Sequence, residues 1–114
     1  MRYEIILAPA AAKDLRRLKA NLRAVVRDTI ERHLRQEPAK VSKSRIKRLR
    51  GLSHPQYRLR VGDVRVFYDI IESTVEVLAI VHKSNAEAWL SEATEPEADD
   101  GEINEEGGPV RSEG

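Results

Sequence analysis

Three arginines lie close together in a segment whose alternating pattern is typical of a β-hairpin. The segment spans residues 57–68 and has Gly62-Asp63 at its centre, a dipeptide that favours a two-residue turn. With that turn the two strands pair residue by residue, and directly opposed residues share one face of a sheet. We therefore predict a surface, the arginine face, that carries Arg58, Arg60, Arg65 and Phe67.

On this face Arg60 would lie directly opposite Arg65, which should destabilise the hairpin because like charges repel across strands. A bound polyanion would relieve the repulsion, since guanidinium groups hold phosphate oxygens bidentately and stabilise a negatively charged transition state. This interpretation predicts a phosphate-binding cleft. The alternative is a solvated strand face whose arginines form ion pairs with neighbouring carboxylates, namely Glu72, Glu76 or Asp69.

A further strand-like run, residues 75–82, adds a histidine to the cleft. An even-numbered loop before this run would place Leu78, Ile80 and His82 on the arginine face, with Lys83 at the end of the strand. Histidine can transfer protons at neutral pH. The predicted catalytic set is therefore Arg58, Arg60, Arg65, His82 and Lys83.

The elements that position this face form an α+β domain. Residues 2–7 favour a strand, and apolar residues at helical spacing then predict two helices that end before Pro38. The strands and the helix that follow are predicted at 57–61, 64–71, 75–82 and about 84–91. We expect the order βααβββα, in which a helical hairpin packs on a small, mostly antiparallel four-stranded sheet to give two layers.

The charge distribution divides the chain near residue 91. Residues 1–90 carry 19 Lys and Arg against 10 Asp and Glu, a net charge of +9, whereas residues 91–114 carry 1 Arg against 9 Asp and Glu, a net charge of −8. The acidic segment has too few apolar residues to offset the entropy of ordering. We predict a folded domain at 1–91 and an acidic disordered tail at 92–114, which could shield the arginines electrostatically.

Composition excludes several classes of protein. The chain has no cysteine, which excludes disulfides and thiol chemistry and fits a cytoplasmic protein. Its apolar runs are too short to span a membrane. Its His33, His54 and His82 are scattered, so we expect no metal site and no cofactor.

Other residues have weaker claims to a role. The basic connection at residues 39–56 could contact RNA phosphates without reading sequence, or it could be a solvated loop. The Trp89 ring is more typical of a packing anchor than of a platform for stacking bases. The predicted RNA-binding residues are Arg45, Lys47, Arg48, Arg50, Phe67 and Trp89.

The element order, the segment 47–52 (Lys-Arg-Leu-Arg-Gly-Leu) and above all the hairpin at 57–68 resemble the RelE/ParE toxins of type II toxin–antitoxin modules. The resemblance covers about residues 2–90. In RelE-like members it implies a ribosome-dependent mRNA endonuclease, in which a ribose 2′-hydroxyl attacks the adjacent phosphate without a metal. In ParE-like members it implies a DNA gyrase inhibitor. Both kinds are neutralised by a cognate antitoxin.

The resemblance also implies roles for individual residues. Arg58 and Arg60 match basic residues that are often lysine in RelE-like enzymes. Arg65 matches the arginine of the second hairpin strand, and we assign phosphate binding to it. Lys83 falls near a second arginine, and Trp89 near a C-terminal tyrosine. Because neither arginine nor tryptophan is a good proton acceptor, His82 is the candidate general acid or base. The arginine face favours the mRNA endonuclease. The departures from the RelE-like pattern, with Lys83 near the second arginine and Trp89 near the tyrosine, favour gyrase inhibition or a non-catalytic binding module.

Overall fold

The computed structural model describes residues 2–93 and the backbone of residues 95–96. The helices are α1 (Pro9–Arg17), α2 (Ala20–Leu34) and α3 (Lys83–Ala93). The strands are β1 (Glu4–Leu7), β2 (Ile46–Arg48), β3 (Leu52–His54), β4 (Tyr57–Val61), β5 (Val64–Ile71), β6 (Thr74–His82) and β7 (Glu95–Pro96). The architecture is α+β, as predicted.

The main sheet of the described chain has five strands in the spatial order β1-β6-β5-β4-β2. β1 runs parallel to β6, and the other neighbouring pairs are antiparallel. The prediction of four strands in the order βααβββα was incomplete because it took residues 39–56 as a connection. That segment contains β2, whose three residues are too few for an alternating pattern to be recognised. It also contains β3, which pairs with β7 in a separate small sheet.

The helical hairpin of α1 and α2 packs on one face of the main sheet, as predicted. Its apolar side chains form one buried cluster with alternate residues of the strands. Leu34 of α2, Leu59 of β4 and Tyr68 of β5 have no exposed surface. This burial of apolar surface holds β4 and β5 in place, and so fixes the positions of the side chains on their other face.

The last helix lies on the opposite face of the sheet, where α3 contacts β5 and β6. The Trp89 ring stacks on the Phe67 ring, with centroids 4.9 Å apart and planes inclined by 13°. Phe67 is only 1% exposed as a result. The fold therefore has two layers over most of the sheet and a short third layer where α3 crosses it.

The ordered elements continue past the predicted domain boundary at residue 91. α3 extends to Ala93, and Glu95–Pro96 pairs with β3. The rest of the predicted acidic tail, residues 97–114, lies outside the described residues. None of the helices in residues 2–93 is long and apolar enough to span a membrane.

Tyr68→Phe tests a hydrogen bond that ties β5 to the loop after α2. The buried Tyr68 hydroxyl donates to the carbonyl oxygen of Pro38 at 2.6 Å. The variant leaves that carbonyl without its donor, so we expect the free energy of unfolding to fall by about 1–2 kcal/mol. Urea denaturation at neutral pH measures this change.

The same variant predicts a pH dependence. Burial raises the pKa of Tyr68 above its ordinary value, so its neutral form stabilises the fold below a pH of about 10, and this contribution is lost as the pH rises further. We expect the parent protein to lose more unfolding free energy than Tyr68→Phe above pH about 10. Equal alkaline losses in the two proteins would contradict the assignment.

Candidate functional site

The arginine face forms as the sequence predicts. In the hairpin of β4 and β5, Arg60 pairs with Arg65 and Arg58 pairs with Phe67. The turn between the strands has Gly62 at a φ of +57°, a conformation that glycine adopts without strain. This tight turn fixes the register of β4 with β5, so all three arginines lie on the side of the sheet away from the helical hairpin.

None of these three arginines forms an ion pair with a carboxylate of the described residues. Arg65 uses its Nη1 to donate to the carbonyl oxygens of Gly62 and Val64, at 2.7 and 3.1 Å. The carboxylate of Asp69 is committed elsewhere, since it accepts the backbone N–H of Gln56 at 2.7 Å and contacts His54 Nδ1 at 2.6 Å. This arrangement goes against the alternative of a self-neutralised strand face.

Arg58 shows most directly that the clustering of positive charges on this face is unfavourable. Partial burial, followed by the positive charges of Arg65 and Arg60, lowers the pKa of Arg58 from its ordinary value. Its Nε is buried and has no hydrogen-bond partner within the described residues. A buried polar group without a partner is unfavourable, so this guanidinium would gain from an anion that accepts its hydrogen bonds.

A shallow groove of about 340 Å³ runs between the arginine face and α3. Its floor is Phe67, and α3 forms one wall. Lys47 of β2 pairs with Arg58 across the strands and brings a lysine ammonium to the groove. The lining residues are Lys47, Leu49, Arg58, Arg65, Phe67, Lys83, Ala86, Glu87 and Leu90.

Lys83 lies at this groove, as expected, but its charge is partly engaged. Its Nζ is 3.3 Å from Asp63 Oδ1, and its backbone N–H donates to the Asp63 carbonyl oxygen at 2.7 Å. These contacts tie the start of α3 to the hairpin turn. Arg60 is more exposed and does not line the groove.

His82 does not lie on the arginine face, so its predicted position was wrong. A β-bulge in β6 is the cause: Phe67 pairs with Ala79 and Tyr68 with Val77, which leaves Leu78 as the extra residue. A one-residue shift moves the following side chains to the other face. His82 consequently pairs with Val64, on the face of the helical hairpin, and Ile80 turns into the core.

The His82 imidazole has a local structural role instead. Its Nδ1 accepts the backbone N–H of Ser84 at 3.1 Å and lies 2.8 Å from the Ser84 hydroxyl. These bonds satisfy an N–H in the first turn of α3, which has no intrahelical acceptor. Ile80, predicted to share the face with the arginines, is displaced by the same bulge.

The predicted RNA-binding residues are dispersed. Arg48 lies over the Tyr57 ring at 5.3 Å and donates to the Leu49 and Gln56 carbonyl oxygens, so it is engaged in structure. Arg45 donates to the Arg60 carbonyl oxygen at 2.9 Å and lies beside His33, whose pKa is lowered mainly by burial and then by Arg45.

The other members of that set differ in how accessible they are. Arg50 is exposed in the turn at Gly51. The Phe67 and Trp89 rings stack on each other, which favours the packing role for Trp89. Among the basic side chains of the connection, only Lys47 lines the groove with Arg58 and Arg65. Sequence reasoning undervalued Lys47 because its position opposite Arg58 depends on β2.

Comparison with known proteins decides the family. A family described as the ParE toxin of the type II toxin–antitoxin system parDE matches residues 5–87. The chain belongs to this family of toxins. The resemblance to the RelE/ParE superfamily inferred from the hairpin is thereby confirmed. The curated proteins include no significant match to the toxin.

Solved structures share the fold of this toxin. A RelBE toxin–antitoxin complex from Mycobacterium tuberculosis is 27% identical, with a TM-score of 0.55, and covers 72% of this chain and 99% of that one. An archaeal RelE–RelB complex from Pyrococcus horikoshii is 25% identical, with a TM-score of 0.55, over 73% and 97% of the two chains. A mutant E. coli RelE in the free state is 24% identical, with a TM-score of 0.61, over 82% and 95%.

Anion binding at the groove can be tested with tripolyphosphate. We expect binding to weaken as salt increases, because salt screens the attraction between the phosphates and the arginines. Replacing Arg65 by glutamine removes one of these charges and should reduce the slope of log affinity against log salt. Isothermal titration at several potassium chloride concentrations measures this, with exposed Arg17→Gln on α1 as the charge-matched control. Equal slopes for the two variants would argue against a site at Arg65.

Proposed function

We propose that this toxin binds the RNA backbone on its arginine face and cleaves mRNA on the ribosome. The observation that carries the proposal is the cluster of Arg58, Arg60 and Arg65, which has no carboxylate partner among the described residues. Such a cluster is costly for folding and favourable for binding a phosphodiester. That cleavage takes place on the ribosome is inferred from the resemblance to RelE-like toxins.

The proposed reaction is an attack of a ribose 2′-hydroxyl on the adjacent phosphate. The hydroxyl passes its proton to solvent water as the new oxygen–phosphorus bond forms, and the bond to the 5′-oxygen breaks as that oxygen takes a proton from a lysine ammonium of the groove. The products are a 2′,3′-cyclic phosphate and a 5′-hydroxyl. Negative charge increases on the phosphoryl oxygens in the transition state, where Arg58 and Arg65 would stabilise it.

Proton transfer is assigned to lysine rather than to histidine. Lys47 is exposed, lines the groove beside Arg58 and has no ion pair within the described residues, so its ammonium is free to protonate the leaving oxygen. Lys83 also lines the groove, although its ammonium group forms an ion pair with Asp63. Lysine is better suited than arginine to exchanging a proton.

Gyrase inhibition is the second candidate function. Its support is the match to the ParE toxin family, together with the position of His82 away from the arginine face. In that case the arginine face would bind an acidic surface of a protein target. A non-catalytic relative that only binds its partner would use the same charges.

A cognate antitoxin is proposed as the partner. The similar structures from M. tuberculosis and P. horikoshii are toxin–antitoxin complexes. An acidic or amphipathic segment of the partner would cover the arginine face or the charged outer side of α1 and α2. The neighbouring reading frame would show whether a small DNA-binding protein accompanies the toxin.

Arg58→Ala and Arg65→Ala test the proposed activity. Each change removes one guanidinium that would stabilise the transition state, so we expect mRNA cleavage on translating ribosomes to slow by about a hundredfold or more. Arg17→Ala, which removes an exposed arginine on the opposite side of the sheet, is the matched control and should cleave normally. His82→Ala should also keep most of its activity.

Primer extension on ribosome-bound mRNA and a DNA supercoiling assay should be run on the same preparations. Loss of cleavage in the Arg58 and Arg65 variants alone would support the endonuclease. Intact mRNA together with impaired supercoiling in the parent protein would reject it and support gyrase inhibition. Inactivity in both assays would support the binding module.

A further inference from the structure

We propose that the acidic segment after Pro96 folds back over the arginine face and occupies the groove in the absence of RNA. The proposed occupation of the arginine face rests on charge and chain geometry alone and does not depend on the proposed function. The consequence that this segment competes with RNA rests on the proposed function. The toxin would then carry part of its own inhibition within the chain.

Charge complementarity is the first argument. Residues 97–114 contain seven acidic residues and one arginine. The acidic residues are Glu97, Asp99, Asp100, Glu102, Glu105, Glu106 and Glu113. The groove presents Lys47, Arg58 and Arg65 with no ion-pair partner among the described residues, and Arg58 Nε is buried without an acceptor. Carboxylates supply the acceptors that these groups lack.

The attachment point is the second argument. Pro96 pairs with Leu52 of β3, three residues along the chain from Leu49, which lines the groove. Leu90, another lining residue, lies near the end of the helix that leads into β7. The attachment point of the acidic segment therefore lies close to the groove along the chain. Its first ten residues can reach about 30 Å when extended, enough to cross the arginine face.

Other basic surfaces are weaker competitors for this segment. On α2, Arg32 is paired with Asp28 at 2.9 Å and Arg35 with Glu31 at 2.6 Å. The exposed arginines of α1, such as Arg17, lie on the opposite side of the sheet from the arginine face. Arg50 lies nearer to the attachment point along the chain, in the turn before β3, but it is a single cation that does not line the groove.

The expected strength of the contact between the acidic segment and the groove follows from their covalent connection in one chain. A short flexible linker gives an effective concentration in the millimolar range, so even weak carboxylate–guanidinium contacts occupy the groove for much of the time. Salt screens exposed charges over about 10 Å at 0.1 M. We expect the segment to weaken RNA binding roughly three- to tenfold at low salt, and to have little effect at high salt.

A spin-label experiment tests the contact without RNA. Because the chain has no cysteine, Asn104→Cys provides one site for a nitroxide label on the full-length protein. We expect the label to broaden backbone amide NMR signals around the groove, including those of Leu49, Phe67 and Ala86. The broadening should disappear in 0.5 M potassium chloride, at which the screening length falls to about 4 Å.

Two sets of tail variants provide the control. In the neutral tail, the six acidic residues from Glu97 to Glu106 become glutamine or asparagine. In the matched tail, the aspartates and glutamates of the same segment are exchanged for each other, which keeps the charge. Broadening at the groove in the matched tail but not in the neutral tail supports the proposal. Broadening elsewhere, or none in the parent protein, overturns it.

RNA binding then tests the competition separately. The probe is a fluorescein-labelled twelve-nucleotide RNA with 2′-O-methyl groups, which cannot be cleaved by 2′-hydroxyl attack. Tighter binding by the neutral tail at low salt supports competition, and equal affinity of the two tail variants overturns it. If neither variant binds the RNA while the groove signals are broadened, the proposed function fails and the contact of the segment with the arginine face stands.

Discussion

Repulsion among three guanidinium groups is the constraint to which the rest of this structure must adapt. Arg60 pairs with Arg65, and Arg58 lies close enough to both for their charges to lower its pKa. A cross-strand pair of like charges destabilises a sheet by up to about 1 kcal/mol. The other face of the same strands buries Leu59, Val66 and Tyr68 completely, and this apolar burial offsets the repulsion many times over. The core thus keeps the charges close together.

The helix α3 turns this charged surface into a groove. Stacking of Trp89 on Phe67 attaches α3 beside the arginines, and the contacts of Lys83 with Asp63 hold its first turn against the hairpin. A wall on one side reduces the access of water to Arg58. Interactions with an anion strengthen where water is excluded, so a helix that packs by apolar contact also increases the electrostatic effect of the face.

The hairpin could be predicted from the sequence because each of its signals is local. Gly62-Asp63 sets the turn, and strict alternation from Tyr57 to Tyr68 assigns each residue to a face. No comparable signal exists for β6, in which residues 77–81 are all apolar and fit either face equally well. The bulge at Leu78 therefore could not be predicted, and neither could the position of His82 that depends on it. Strand β2 was missed because its pairing depends on β4, which is distant in sequence.

The composition of the groove separates two parts of ribonuclease chemistry. Arginines stabilise charge but remain protonated at all ordinary pH values, so Arg58 and Arg65 can supply only the electrostatic part. General acid–base catalysis contributes about a hundredfold to ten-thousandfold in enzymes, and an electrostatic donor of the oxyanion-hole type contributes about a hundredfold to a thousandfold. A face with the second contribution and without the first would bind RNA and cleave it slowly. In the proposed endonuclease, the efficiency of cleavage would therefore depend on a lysine of the groove, above all on Lys47, which β2 brings beside Arg58.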